Sequence, residues 1–174
     1  MLNILKLLPV SMLLASLNSL TSYGFQPDVG DRVIYRLILD GRDQGVAVTD
    51  IVKKTGDHTS VRYTQLYIEN QEEYFESEIF DSELVTFEEN SDIIKNCREF
   101  GGVSANMYVA GRLAKTCKFS TDNKIAKERL ELLDFNKKEL SPGYVWIGQT
   151  PFDGIIKLNT PELIMDLTFY KWNK

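Results

Sequence analysis

Short runs of β-branched and aromatic residues, separated by turn-forming residues, recur along most of this chain. In Arg32–Leu39 (RVIYRLIL), apolar residues alternate well enough to predict a strand with Val33, Tyr35, Leu37 and Leu39 on one face. Repeated short runs of this kind between turn signals are typical of consecutive strands. The pattern therefore predicts a mainly β protein.

Turn-forming clusters at Asp40–Gly45 and Lys53–His58 separate the first predicted strands. The later strands follow the same pattern. They are Val46–Val52, a strand through Val61, Tyr63 and Tyr67, Tyr74–Phe80, Leu84–Phe87, a hairpin between Cys97 and Cys117, Tyr144–Gly148, Gly154–Leu158 and Leu163–Trp172.

Two stretches have a less definite pattern. Ser91–Phe100 fits either a helical turn or an edge strand. Ile125–Phe135 (IAKERLELLDF) fits a helix through Ile125, Ala126, Arg129, Leu130 and Leu133, and it also fits the alternation of a strand. Because its neighbours are strands, we expect a strand there.

About ten consecutive antiparallel strands must curl or close to bury one face and to protect their edges. We therefore expect a single strongly curved antiparallel sheet, a half-barrel or open barrel, with at most one or two short helices. Such a sheet either fills its interior with side chains or leaves a ligand cavity. The sequence leaves both possibilities open.

The N-terminus has the three parts of a secretory signal: Lys6, an apolar run Leu7–Leu17, and small residues at Ser22 and Gly24. The apolar run is shorter than the ~20 residues of a membrane span, and Pro9 interrupts it. We expect residues 1–24 to be removed and residues 25–174 to form one β domain without a stable membrane anchor. The predicted location is periplasmic or secreted.

Removal of Lys6 leaves 19 basic against 25 acidic residues, a formal net charge of −6. Nucleic-acid binding needs a concentrated basic surface, so the charge balance argues against a nucleic-acid partner. We find no cofactor motif and expect no cofactor.

Cys97 and Cys117 are the two cysteines of the chain. Their spacing does not form a CxxC redox motif, and two cysteines are too few for a closed zinc site. In an exported chain such a pair favours a structural disulfide.

The sequence gives only weak evidence for catalytic or metal-binding residues. His58, the single histidine, lies in a predicted turn, and no nucleophile motif accompanies it. Glu76 and Glu78 share a strand face, as a glycosidase pair would, but they belong to an acidic run between Arg62 and Lys95 that is typical of a solvated sheet edge. An EF-hand loop is missing. We predict neither catalytic residues nor a metal site.

Three segments carry a resemblance to a known group. They are the opening hairpin from Tyr35 to Gly45, the step Val109-Ala110-Gly111 followed by a strand through Cys117, and the stretch from Trp146 through Pro151 and Phe152 to Gly154-Ile155-Ile156-Lys157. Together they make the mature chain resemble bacterial periplasmic domains related to the LolA/LppX-like lipoprotein-carrier and lipid-carrier fold. The resemblance implies a half-barrel whose concave side can cradle an acyl chain, and it implies no catalytic residues.

Two functions follow as expectations. The first is a non-enzymatic module that binds a lipid or another apolar small molecule on the concave face of the sheet. Its candidate ligand-binding residues are Tyr35, Tyr63, Phe75, Trp146 and Phe169. The alternative is a solidly packed envelope protein that meets a protein partner through an exposed strand or through an acidic edge. The acidic candidates are Glu72, Glu73, Glu76 and Glu78.

Overall fold

The computed structural model describes residues 28–55, 58–69, 72–81, 87–131, 140–150 and 152–171. For residues 58, 67–69, 72–76, 80, 87 and 88 within these ranges, the description covers the backbone alone. The strands are β1 (Arg32–Leu39), β2 (Arg42–Thr55), β3 (His58–Glu69), β4 (Glu72–Asp81), β5 (Val103–Val109), β6 (Arg112–Ser120), β7 (Tyr144–Ile147), β8 (Ile155–Asn159) and β9 (Leu163–Lys171). The helices of the described part are α1 (Phe87–Lys95) and α2 (Lys124–Glu131).

The nine strands of the described part belong to one antiparallel sheet in the order β4-β3-β2-β1-β9-β8-β7-β6-β5. Each strand pairs with its neighbour in the chain, except that β1 pairs with β9 and β4 does not pair with β5. The first and last strands therefore meet inside the sheet, whereas β4 and β5 are its two edges among the described strands.

Two tight turns set the register of the outermost and innermost hairpins. In the β1–β2 turn, Asp40 and Gly41 have φ values of 49° and 74°, and in the β5–β6 turn Ala110 and Gly111 have 48° and 77°. Two consecutive left-handed residues make the type I′ turn whose twist matches that of paired strands. The first turn is therefore shorter than the predicted Asp40–Gly45.

The core lies on one face of the sheet. Along β1, Val33 and Tyr35 are buried while Arg32 and Arg36 are exposed, as the alternation predicted. Tyr35 stands opposite Ala47 of β2 and Leu167 of β9, which are also buried. Both helices contribute apolar side chains to the same core cluster: Ile93 from α1, and Ala126 and Leu130 from α2.

The sheet is strongly curved. In a flat sheet, four strand spacings of about 4.8 Å would separate β5 from β9 by about 19 Å. In this protein, Cα atoms of β5 approach Cα atoms of β9 to within 8 Å. The sheet is nevertheless not closed, so the predicted strongly curved, open antiparallel sheet with one or two short helices is confirmed.

The predicted strand at Ile125–Phe135 is wrong for residues 125–131, which belong to α2; residues 132–135 lie outside the described residues. Ala126 and Leu130, four residues apart, are both buried because they share one helix face. Asn123 caps the helix by accepting a hydrogen bond from the Ile125 N–H at 2.9 Å.

Other boundaries also differ from the prediction. His58 is not a turn residue but the first residue of β3, opposite Thr55, because both strands continue into the predicted Lys53–His58 turn. Phe87 begins α1, so the predicted strand Leu84–Phe87 is wrong at that residue; residues 82–86 lie outside the description. For Ser91–Phe100, the helical alternative is correct up to Lys95.

The disulfide between Cys97 and Cys117 is confirmed, with 5.6 Å between the Cα atoms. Cys97 follows α1 and Cys117 lies in β6, so the bond ties the helix end to the sheet rather than joining two strands. Gly102, which precedes β5, packs directly on it: a Cβ there would lie 2.3 Å from the Cys117 Sγ. A disulfide fits an extracellular or periplasmic protein. Neither described helix is long and apolar enough to cross a membrane.

Candidate functional site

The five candidate ligand-binding residues do not share one face of the sheet. Tyr35 pairs with Ala47, and Tyr63 pairs with Thr49 two residues further along β2, so both tyrosines lie on the core face. Phe75 stands opposite Leu66 in the ladder, and its side chain lies outside the described part of the structure.

Trp146 and Phe169 lie on the other face. Trp146 stands between Val145 and Ile147, which are both fully buried on the core face. Phe169 pairs with Ile34, the residue between the buried Val33 and Tyr35, and it is 43% exposed. The structure therefore brings Tyr35 and Tyr63 to the concave core and places Trp146 and Phe169 on the opposite surface.

The surface around Trp146 is polar as well as aromatic. The Lys118 ammonium lies 3.6 Å from the centre of the Tyr144 ring and 5.0 Å from that of Trp146. Lys157, opposite Trp146 in β8, forms an ion pair of 2.7 Å with Asp166. Cation–π and ion-pair contacts of this kind hold neighbouring strands together on a solvated face.

Tyr35 is fully buried, and its hydroxyl is already engaged. The hydroxyl oxygen lies 2.8 Å from the carbonyl oxygen of Ile155 and 3.1 Å from Oδ1 of Asp153, two acceptors for its one hydrogen. Burial, followed by the nearby Asp153 carboxylate, raises the pKa of Tyr35 well above its usual value. Tyr35 therefore acts as a neutral donor inside the core.

Asp153 is the buried acid of this region. Its Oδ1 accepts a hydrogen bond of 2.6 Å from the Ile155 N–H, and its Oδ2 has no hydrogen-bond partner among the described residues. Burial raises the pKa of Asp153 to about 7, although the Ile155 amide, the Tyr35 hydroxyl and the Arg129 charge each oppose this rise. The carboxyl group therefore changes its charge near neutral pH.

Further polar atoms surround the same loop. Asn90 of α1 is fully buried and donates a hydrogen bond of 3.4 Å from Nδ2 to the carbonyl oxygen of Thr150. Gly154 packs closely on the Asn90 side chain, because a Cβ on Gly154 would lie 2.5 Å from the side-chain amide of Asn90. Oδ1 of Asn90, Oγ1 of Thr150 and Nε of Arg129 have no hydrogen-bond partner within the described part of the chain. We call Tyr35, Asn90, Arg129, Thr150 and Asp153 the buried polar cluster.

The buried polar cluster joins β1, both helices and the β7–β8 loop. An acid with a perturbed pKa beside other polar groups is typical of a functional site, but this one is 1% exposed. Asp153 therefore binds and releases its proton inside the packed core. In the described ranges, no three His, Cys, Asp or Glu side chains are grouped so that they could hold a metal ion.

The two edges of the sheet differ in charge. β4 (EEYFESEIFD) contains five acidic residues and no basic one, and it includes all four acidic candidates Glu72, Glu73, Glu76 and Glu78. The Glu78 side chain is exposed, whereas those of Glu72, Glu73 and Glu76 lie outside the described residues. β5 (VSANMYV) contains no charged residue, no proline and no glycine.

The open side of β5 can be assigned from its turn. The two residues that flank a two-residue turn form two main-chain hydrogen bonds with each other. Along an antiparallel ladder, such hydrogen-bonded pairs alternate with pairs whose N–H and C=O groups point away from each other. Val109 and Arg112 close the β5–β6 turn. The N–H and C=O groups directed away from β6 therefore belong to Ser104, Asn106 and Tyr108. No described strand is hydrogen-bonded to β5 on that side.

Large apolar side chains are exposed along this hairpin. Tyr108 and Leu113 stand opposite each other and are 79% and 62% exposed, and Val103 is 65% exposed. We call Val103–Val109 together with Leu113 the β5 edge. The sequence predicted this hairpin but not its position at the end of the sheet. The absence of charge in VSANMYV is the one signal that distinguishes it from β4.

Comparisons with known proteins do not assign this chain to a family. The resemblance to LolA/LppX-like carriers stays a prediction. No protein-family model matches the chain, and neither a curated protein nor a solved structure is significantly similar to it.

Proposed function

We propose that this protein is an exported binding module, not an enzyme, that holds an extended segment of another polypeptide by adding it as a further strand to the β5 edge. The observation that carries the proposal is the unprotected character of this edge. Proteins usually block an edge strand with charge or proline, as β4 does with its acidic residues, whereas β5 carries neither.

Strand addition uses the groups that β5 presents. Six main-chain groups, the N–H and C=O of Ser104, Asn106 and Tyr108, face outwards and can bond an incoming strand. Tyr108 would lie directly beside the incoming side chains, and Leu113 would lie one strand behind it on the same face. Main-chain bonds would supply affinity, and these two side chains would supply preference for an apolar neighbour.

The disulfide supports this role by fixing the start of the β5 edge. Gly102 packs on the sulfur atoms of Cys97 and Cys117, and Cys117 itself pairs with Ser104. A strand that is already ordered loses less conformational entropy when a partner binds. We place the protein in the periplasm or outside the cell, where this disulfide persists.

The test compares two proline variants as baits for proteins extracted from the host. Asn106→Pro removes an outward N–H without breaking a bond to β6, and Ser77→Pro makes the same change on the other edge, at a position whose N–H also points outwards. We expect the partner to be retained by the wild type and by Ser77→Pro and lost, at least about tenfold, with Asn106→Pro. Equal retention by Asn106→Pro would exclude β5 as the docking strand.

The core face of β3 favours a second candidate function, the binding of an apolar ligand. Towards β4 this face becomes more open, because Tyr63 is half-buried and Glu78, which pairs with it, is exposed. A lipid or acyl chain would therefore enter beside Tyr63, since the face nearer β6 to β8 is filled by fully buried side chains such as Phe119, Ile147 and Leu158.

Native mass spectrometry of the gently purified protein tests this second function. A reproducible added mass that is released as a lipid on denaturation, and that is lost from Tyr63→Asp but kept by the exposed-surface variant Phe169→Asp, would support it. A bare polypeptide mass in both the wild type and Phe169→Asp, in protein purified from its own host, would contradict it.

A further inference from the structure

We infer that the strand that adds to the β5 edge is acidic, and that β4 of a second copy of this chain supplies it, so that copies associate head to tail. This inference rests on the proposed strand addition and identifies its partner. Three features carry it: the charges beside each edge, the outward main-chain groups, and the symmetry of the possible pairings.

The strand behind β5 is basic. β6 contains Arg112, Lys115 and Lys118 and no acidic residue, and the first two side chains are exposed. A strand added to β5 would lie about 10 Å from β6, within reach of long basic side chains. Because β5 contributes no charge of its own, the field at this edge is positive, and an acidic strand fits it best.

β4 has the required chemistry and is itself an open edge. Its five acidic residues lie in a chain whose formal net charge is −5, so two copies repel each other in general and attract only where unlike surfaces meet. The Glu69–Glu72 pair closes the β3–β4 turn across two residues, so the outward main-chain groups of β4 lie at odd positions, Ser77 and Ile79 among them.

Pairing the centres of the two strands gives a concrete register. With Ser77 of one copy opposite Asn106 of the other in antiparallel orientation, Ile79 lies opposite Ser104 and Glu78 lies opposite Ala105. Ala105 is on the face of the β5–β6 hairpin that carries Arg112 and Lys118, because residues of β6 alternate between faces. The exposed carboxylate of Glu78 then points to the same side as these two cations.

Symmetry separates this arrangement from the alternatives. Pairing β4 with β4 would oppose acidic strands and is disfavoured. Pairing β5 with β5 would bring two positive edges together and would stop at a dimer, whereas pairing β5 with β4 is heterologous and leaves one free edge of each kind at the ends. Head-to-tail association therefore continues beyond the dimer as concentration rises.

Sedimentation velocity of the full chain and of two complementary charge variants tests the inference. The first variant, Arg112→Glu with Lys115→Glu, reverses the positive charges on β6 behind the β5 edge. The second, Glu78→Lys with Asp81→Lys, reverses negative charges on β4. In low salt we expect the wild type to form a concentration-dependent series and each variant alone to be at least about tenfold weaker in association. An equimolar mixture of the two should associate more strongly than either variant alone, because the unchanged β4 of the first matches the unchanged β5 edge of the second.

Salt and a matched control complete the experiment. Association of the wild type should weaken as added salt shortens the screening length below about 10 Å. Lys124→Glu with Lys127→Glu makes the same charge change as the first variant, on exposed positions of α2, and should associate like the wild type. Failure of this control to associate would assign the effect to net charge and overturn the inference.

The remaining outcomes separate this inference from the function on which it rests. Dimers of the Glu78→Lys, Asp81→Lys variant would mean β5–β5 pairing, which overturns the head-to-tail arrangement and keeps strand addition. A monomeric wild type that still loses a captured partner on Asn106→Pro would overturn self-association alone. A monomeric wild type whose captured partners are unaffected by Asn106→Pro would overturn both.

Discussion

At the scale of single residues, the two cysteines were predictable and the buried polar cluster was not. The sequence shows the two cysteines directly, and their spacing fits neither a CxxC redox motif nor a closed zinc site, which leaves a structural disulfide as the favoured prediction. Asp153, by contrast, acquires its raised pKa from Tyr35, Ile155 and Arg129, and from burial that several elements produce together. The sequence around Asp153 does not indicate which residues surround it in the fold.

Asp153 makes stability depend on pH in a defined direction. Its pKa is raised from 3.8 in the unfolded chain to about 7 in the folded protein, so the folded state binds the proton more tightly. The stabilisation from this group is therefore complete below about pH 4 and is lost as the pH rises towards 7. It changes by at most about 1.4 kcal/mol per pH unit.

The variant Asp153→Asn should remove this dependence. Its amide oxygen can still accept from Ile155 and Tyr35, and the side chain stays neutral at every pH. In denaturant unfolding, the variant should gain stability relative to the wild type as the pH rises from about 4 to about 7. The exposed control Asp40→Asn should show no such gain. A constant difference between Asp153→Asn and wild type across that range would contradict the assigned pKa.

At the scale of elements, alternation predicted strands well and a short amphipathic helix poorly. The bounds of β1 agree with the prediction at both ends, and in its first half the buried Val33 and Tyr35 alternate with more exposed residues. In α2, the spacing of Ala126 and Leu130 and the cap at Asn123 were visible in the sequence. For this segment the local period and cap are a better guide to structure than the neighbouring strands.

Reduction of the disulfide should affect the stability of the protein and the protection of α1. It closes a loop of 20 residues, and the chain-entropy estimate for such a loop is about 3 kcal/mol. Reduction should therefore lower the free energy of unfolding by about that amount, and amide exchange should accelerate more in α1 than in β1 and β2, which the bond does not touch. Equal stability of the reduced and oxidised protein, or equal acceleration in β2, would show that the bond does not anchor α1.

At the scale of the whole molecule, the sequence predicted the class of the sheet but not the identity of its edges. Hairpin signals show which consecutive strands pair, and they say nothing about the pairing of β1 with β9, which are separated by most of the chain. That one non-local pairing places β4 and β5 at the edges. The same pairing explains why the candidate residues Tyr35 and Phe169, on adjacent strands, lie on opposite faces.

Amide hydrogen exchange, measured by NMR on the monomeric chain in high salt, shows whether β5 is an open edge. We expect the N–H groups of Ser104, Asn106 and Tyr108 to exchange at least about a hundredfold faster than those of Ala105, Met107 and Val109, which are bonded to β6. Equal protection of both sets in the monomer would show that another part of the chain, such as the nearby β9, already covers the edge, and it would contradict the proposed docking of a further strand.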